Sequence, residues 1–399
     1  MYRSRVIFIL NLSLGITHSQ GVATITREIH LAPDTHIVAS TIYKTMAAYV
    51  TCEKLDQSDR KCNLTSEVLD DLYAPIICPI PLRFKQGYRY GIVPKIFIGN
   101  DGEVVLIFSG SSDFESPGWF FSIFFRKPPY CNWSSVIVSL RQNFSSYNDI
   151  VDEILIIRHP SNYQFIYKDE GSCQNACSLI YNNEGKKLQN HTNLNLTEHL
   201  SGDFVLPRRS SYVGFESSGT GHCFVITSEE RLNASLFFNE QVHQTLDPTR
   251  NTDFYSMRFT TAHQKMGICK QEKPDNRFLN CSSGDLRSWF NLTLNSQLRD
   301  PVIYSTANDK FFVLRSEALG NSSTFEILLT LFDSQKKFRF NLPMKTIECH
   351  NKPIHLRALI WESDGGDYCL SLFEEASRTS HILMKCLPKV VETFFVDTP

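Results

Sequence analysis

Four short apolar runs, each ended by a turn, recur along this chain about every 40 to 50 residues. The clearest set is 95–98 (KIFI), 104–108 (VVLIF), 120–125 (FFSIFF) and 136–140 (VIVSL). Each run is too short for a helix, is rich in Phe, Ile and Val, and is bounded by Gly, Asn, Asp, Ser or Pro, the pattern of a strand between turns. Further sets follow at 154–157, 164–167 and 178–181, then at 203–206, 212–215, 223–227 and 234–238. Three more occupy 255–259, 266–270, 277–279 and 289–294; 302–305, 311–315, 326–332 and 338–342; and 356–361, 367–373 and 381–387. The last set is one strand short, and residues near the N-terminus are expected to complete it. Such a sheet cannot cover both of its faces alone, so units of this kind stack in a ring and share their cores. The pattern predicts an all-β fold, a six-bladed β-propeller of four-stranded antiparallel blades, in one domain over 24–399. A sandwich is the competing architecture, but more than twenty short strands exceed what one sandwich holds. Pro128-Pro129 and the Asn-rich stretch 182–195 read as long loops between strands.

The first 23 residues read as a signal peptide: Arg3 and Arg5 precede an apolar run at 6–16 (VIFILNLSLGI), and small or polar residues follow around Ser19, Gly21 and Ala23. That run is shorter than the roughly twenty residues a membrane span needs. The stretch 387–399 carries charges and no apolar tail, so neither membrane insertion nor a glycolipid anchor is expected. All 12 cysteines lie beyond the leader. In an oxidising compartment they should pair, and local spacing favours Cys52–Cys62 and Cys269–Cys281, each closing a hairpin. Their spacing does not match a zinc site, and no metal or cofactor is expected. Nine N-x-S/T sequons follow, at Asn63, Asn132, Asn143, Asn190, Asn195, Asn233, Asn280, Asn291 and Asn321. One sequon says little; nine behind a leader predict a secreted, extracellular glycoprotein with these asparagines on the surface. A formal net charge of −2 with no basic block disfavours nucleic acid as a partner.

Turn motifs point further. Glu362-Ser363-Asp364-Gly365-Gly366-Asp367-Tyr368-Cys369 resembles the sialidase Asp-box, in which an Asp-x-Gly turn leads into a strand opening with an aromatic. Ser217-Ser218-Gly219-Thr220-Gly221-His222 is a degenerate copy, and the segment from Ser111 to Phe120 is a stretched one. In such a turn an Asp side chain caps backbone amides and Gly takes the positive φ. Tyr88-Arg89-Tyr90-Gly91-Ile92-Val93-Pro94-Lys95-Ile96, followed by Asn100-Asp101-Gly102-Glu103, is similar to the Tyr-Arg-Ile-Pro opening of sialidases. The segments 302–333 and 356–385 are similar to the last blades of trypanosomal trans-sialidases. The resemblance to the sialidase and trans-sialidase superfamily covers about 75–390 and is that of a degenerate member.

That resemblance implies three arginines clamping a sialic-acid carboxylate, a Tyr nucleophile activated by Glu, and an Asp acid/base. Arg258 matches one clamp position, and Asp113, with Glu115 beside it, lies in the loop of the acid. Elsewhere the pattern fails. Gly91-Ile92-Val93-Pro94 stands where the first arginine belongs, so Arg89 serves only if the strand carries extra residues. Residues 321–325 contain no arginine, and Arg315 is one strand early. Ile354-His355-Leu356-Arg357 stands where the Tyr belongs, with Tyr368 and Tyr304 as the nearest substitutes, and Glu240 is the nearest Glu. The expectation is a sialidase-like scaffold that binds a glycan or an extracellular protein without catalysis, Arg258 and Asp113 being vestigial. The alternative is an active exo-sialidase or trans-sialidase with displaced catalytic residues.

Overall fold

The computed structural model describes residues 5–6, 24–53, 61–71, 74–82, 88–91, 93–99, 101–112, 118–141, 147–152, 154–158, 162–167, 169, 176–194, 210–217, 221–228, 234–238, 241–246, 257–262, 265–271, 278–283, 289–293, 302–305, 311–319, 324–332, 338–348, 355–375 and 379–387. Its strands form seven antiparallel sheets. Sheet 1 comprises Thr35–Tyr43, Met46–Glu53, Cys62–Val68 and Ile76–Pro79. Sheet 2 opens with two pieces on one edge, Tyr88–Tyr90 and Lys95–Ile98, followed by Val104–Ser112, Gly118–Arg126 and Trp133–Leu140. A short helix, Tyr147–Asp152, leads to sheet 3 (Leu155–Arg158, Asn162–Tyr167, Ala176–Asn182, Lys187–Leu194). Sheet 4 holds Ser210–Ser217, Gly221–Ser228, Ala234–Phe238 and Gln241–Leu246; sheet 5 holds Met257–Ala262, Lys265–Gln271, Phe278–Ser283 and Trp289–Thr293. Sheet 6 is Val302–Ser305, Phe311–Leu319, Thr324–Phe332 and Phe338–Glu348. Sheet 7 takes His355–Glu362, Tyr368–Glu375 and Thr379–Leu387 from the C-terminal end and Thr24–His30 from the N-terminal end, with Arg5–Val6 on its outer edge.

The first strands of sheets 3 to 7 abut in succession, that of sheet 7 touches that of sheet 1, and sheet 1 touches sheet 2 in the same way. Sheets 2 and 3 join through a shared core. The result is a propeller-like ring with each first strand innermost.

The apolar runs explain the ring. Successive residues of a strand point to opposite faces, so the run Val104 to Phe108, buried throughout, feeds two cores. Val104, Leu106 and Phe108 pack toward sheet 1, whereas Val105 and Ile107 pack toward sheet 3. Two further cores join sheets 6 and 7 and sheets 7 and 1.

Three sequence expectations change. The spacing predicts six sheets, and the described residues form seven. The additional one is sheet 1, whose first hairpin turns at Lys44 with φ 51°, so no Gly or Asn marks it. The stretch 182–195 is not a loop throughout, since Lys187–Leu194 is the outermost strand of sheet 3. Leu188 on that strand is 54% exposed, and a strand with so little buried surface shows no apolar alternation. In sheet 4 the fourth strand is Gln241–Leu246, and 203–206 lies outside the described residues.

Disulfides tie strands within sheets and between them. Cys52 and Cys62 are bonded with Cα atoms 4.2 Å apart, opposite one another in the hairpin of sheet 1. Glu53 N bonds Lys61 O next to them, so the cysteines occupy the non-hydrogen-bonded position where facing strands come closest. Cys369–Cys386 does the same in sheet 7. Cys269 and Cys281 are direct partners across the second and third strands of sheet 5; their side chains lie outside the description. Cys78–Cys131 joins the outer edges of sheets 1 and 2, and Cys177 is disulfide-bonded as well. Among the described residues no helix is long and apolar enough to cross a membrane.

The chain closes its ring by zipping Thr24–His30 onto Thr379–Leu387, from Thr24 opposite Lys385 to His30 opposite Thr379. Arg27 carries the closure across to sheet 1. Its Nη1 donates to Glu67 Oε2 at 2.8 Å, and its Nη2 donates to the carbonyls of Val68, Leu69 and Asp71 at 3.1, 3.1 and 2.5 Å. The two side chains are 14% and 3% exposed, so deleting one strands the other in the interior. Arg27→Ala is expected to cost about 3 kcal/mol of stability in urea unfolding.

Burial pushes the Glu67 carboxyl above its ordinary value, and the guanidinium pulls it back only in part. A folded value above the unfolded one gives a stabilising contribution at low pH that is lost as pH rises through the folded value. Glu67→Gln keeps an acceptor for Arg27 and is expected to remove that decline when unfolding is compared between about pH 4 and pH 7.

Candidate functional site

Each sheet begins with its innermost strand, which gathers the starting ends of these strands at one mouth of the ring. Three arginines lie within the first three residues of such strands. Arg89 is second in Tyr88–Tyr90, Arg258 is second in Met257–Ala262, and Arg357 is third in His355–Glu362. Arg89 and Arg357 are exposed. Arg357 is not among the expected site residues; its position, beside the place of the missing tyrosine, is the signal that would have found it.

The backbone around Arg89 meets the condition that the sequence set for it. Both pieces of the innermost strand pair with Val104–Ser112: Arg89 faces Ser111 and Lys95 faces Ile107, with Gly91 N bonded to Ser109 O. Four steps of chain from Gly91 to Lys95 therefore oppose two steps from Ser109 to Ile107. The strand does carry extra residues, and because their number is even, Arg89 keeps the face of Lys95. Its flanking rings are fixed: Tyr88 and Tyr90 both meet Phe120 edge-on, at 5.3 and 5.5 Å. Phe120 in turn lies across Gly110, where a Cβ would come within 2.2 Å of the ring.

The chain between the first strands of sheets 2 and 3 is pinned by polar groups. Lys95 Nζ donates to Ile154 O at 2.5 Å, and Tyr147 OH and Ser111 Oγ are 2.9 Å apart. Glu103, buried, receives the hydroxyl of Tyr163 and the amide of Asp101. A Cβ on Gly99 would collide with both Tyr163 and Glu103.

The other expected site residues fall in different places. Asp113, Glu115 and Glu240 lie outside the described residues. Arg315 stands opposite Leu328 on the second strand of sheet 6, one strand away from the axis. Leu356 is second on the innermost strand of sheet 7, opposite Glu374, and Tyr304 is third on that of sheet 6, opposite Phe312; both stand near the starts of their strands, as the three arginines do. Tyr368 is 1% exposed and its ring packs against Phe312 at 4.9 Å, which makes it a core residue. Of the sequon asparagines, Asn132 is exposed and Asn63 half-buried.

The turn resembling an Asp-box also differs in detail. Gly366 takes the positive φ, 83°, but the cap is Ser363, whose Oγ accepts the Asp367 amide at 3.0 Å. The three related turns occupy unequal places. Those after Glu362 and Ser217 join first and second strands, and the one after Ser112 joins second and third.

No family model matches the sequence, and none of the curated proteins matches it. Solved structures align at a distance. A Trypanosoma rangeli sialidase in complex with sialic acid aligns with a TM-score of 0.37 and 10% identity, covering 98% of this chain and 60% of that one. A puromycin-hydrolyzing peptidase of Mycobacterium tuberculosis aligns with a TM-score of 0.40 and 8% identity over 85% of this chain and 58% of its own. A prolyl oligopeptidase from Galerina marginata gives 0.44 and 8% over 90% and 52%. The chain thus spans three-fifths or less of the length of each. The class defined here is an all-β, propeller-like protein stabilised by disulfides.

Replacing Tyr368 separates a core role from a chemical one. Tyr368→Ala is expected to destabilise the fold by about 3–5 kcal/mol in denaturant unfolding; a tyrosine serving a ligand site would leave stability unchanged.

Proposed function

We propose that this chain is a secreted glycoprotein whose propeller-like ring binds an extracellular glycan or protein partner at the mouth carrying Arg89, Arg258 and Arg357, without hydrolysing sialosides. The observation that carries the reading is the burial of Tyr368 against Phe312, together with a His-Leu-Arg start to the innermost strand of sheet 7. Covalent glycoside chemistry of the sialidase type needs an accessible tyrosine oxygen, and losing the nucleophile abolishes that route. Arginine suits a carboxylate or another anion, since guanidinium binds such groups in a planar, two-pronged contact. Disulfides on sheets 1 and 7 and the cross-strand cysteines of sheet 5 fit an oxidising, extracellular setting.

The second reading, an active exo-sialidase with displaced residues, draws on the same arginines and on the preserved face of Arg89. A fluorogenic sialoside assay of the secreted protein, run beside a glycan-array screen, divides the two. The expected result is no turnover, with any acidic-glycan binding reduced at least tenfold by Arg258→Ala, a loss of about 1.4 kcal/mol. Turnover that disappears in Arg258→Ala overturns the binding reading.

A further inference from the structure

We infer that Cys78–Cys131 is a reducible clamp, and that a dithiol acting at Cys131 opens the junction between sheets 1 and 2 without opening the ring. The inference goes beyond ligand binding at the mouth and does not depend on it. Three disulfides have both cysteines among the described residues. Cys52–Cys62 is buried at both ends, and Cys369–Cys386 pairs a buried residue with a half-buried one. Each of these also joins neighbouring strands of one sheet that backbone pairing already holds together. Cys78–Cys131 differs on both counts. It joins two sheets, and Cys131 is exposed whereas Cys78 is fully buried.

Beneath this bond lies a charge without a counterpart. Arg126 is 1% exposed. Its Nε donates to Tyr130 O at 3.2 Å, next to Cys131, and its Nη1 donates to Ser66 Oγ at 2.5 Å. Ser66 stands opposite Ile76, two residues from Cys78. The guanidinium therefore spans the same two rims as the disulfide. Nη2 has no hydrogen-bond partner, and no carboxylate among the described residues pairs with Arg126. Burial alone pushes its pKa below the ordinary arginine value. A buried cation without an anion carries a desolvation cost. The closed junction is kept by the bonds across it, Cys78–Cys131 and the donation from Trp133 Nε1 to Pro79 O at 3.0 Å. Letting water reach Arg126 relieves the desolvation.

The two sulfurs are not equivalent targets. A thiolate attacks in line with the bond that breaks, so Cys131 Sγ is approached from solvent and Cys78 Sγ only through the core. Attack at Cys131 breaks the S–S bond and forms a mixed disulfide. Cys78 leaves with the bonding electron pair and takes a proton from water. It stays close enough to attack back, which is why a second thiol is needed: that thiol displaces Cys131 as a free thiol and closes the reductant's own disulfide. The protein gains two electrons and two protons, and the dithiol loses them. Thr24–His30 and Arg27 hold the ring at the other side of sheet 1, so it stays closed.

The test uses the full secreted chain, treated under native conditions with limiting dithiothreitol, quenched with iodoacetamide and peptide-mapped. Cys78 and Cys131 should be alkylated together, at least about tenfold faster than Cys52, Cys62, Cys369 and Cys386. In the reduced form, hydrogen exchange should rise at 76–79 and 130–133 and stay unchanged at 24–30 and 379–387. Arg126→Met removes the charge while keeping a long side chain. In a dithiol–disulfide buffer that half-reduces the parent bond, this variant should lower the reduced-to-oxidised ratio about tenfold. Reduction of Cys78–Cys131 no faster than that of the other two bonds, or exchange that rises along the whole chain, overturns the inference. An unchanged or higher ratio in Arg126→Met overturns it as well, since the bond then opens without help from the charge. Should Arg126→Met fail to be secreted, the order of reduction and the exchange pattern of the parent decide alone.

Discussion

A sheet that is apolar on both faces cannot be the last in a row. Val104 to Phe108 and the neighbouring strand Gly118–Arg126 bury side chains toward sheet 1 and toward sheet 3 at once, and the same holds where sheet 7 meets sheets 6 and 1. A sheet of this kind needs a neighbour on each side, which a closed ring supplies and an open stack does not. Closure then becomes the vulnerable step. Here it falls to Thr24–His30, a strand from one end of the chain that completes a sheet made by the other, and to Arg27, which reaches past that sheet to four acceptors on the next. Ser371 adds a further link from sheet 7, donating to Lys44 O at 2.5 Å.

The cysteines reinforce what packing leaves weak. Cross-strand pairs in sheets 1 and 7 hold the second strand to the third, and Cys78–Cys131 clamps the rims of two sheets where outer strands are short and exposed. Outer strands bury the least apolar surface, so constraint by covalent bonds has most effect there. The inner ends are organised differently, by backbone pairing and by aromatic contacts such as those of Tyr88 and Tyr90 on Phe120. Arg89 and Arg357 stand near the starts of two of these inner strands, and both are exposed.

Much of the architecture was legible in the sequence because burial on both faces writes itself as uninterrupted apolar runs, as in VVLIF and FFSIFF. Sheets 2, 5, 6 and 7 follow from those runs. Sheet 1 did not, because its strands mix Ala, Ser and Thr and its tight turn falls on Lys44, a residue that seldom takes a positive φ. The strand Lys187–Leu194 did not, because an outer strand facing solvent keeps no apolar pattern. Cys52–Cys62 was legible from its ten-residue spacing, whereas Cys78–Cys131 was hidden by 53 residues of intervening chain. At the candidate site the sequence proposed Arg258 and questioned Arg89. It gave no way to foresee that an even number of extra residues restores the face of Arg89, or that Tyr368 is sealed against Phe312. Those facts depend on register and on which sheet packs against which.

Ring closure by the N-terminal strand is tested most directly by native-state hydrogen exchange. The amides of Thr24–His30 should be as strongly protected as those of Thr379–Leu387, and both should open together with 61–71, because all three belong to one cooperative unit around the closure. Exchange of 24–30 at the rate of an unstructured peptide, while 379–387 stays protected, would contradict the account.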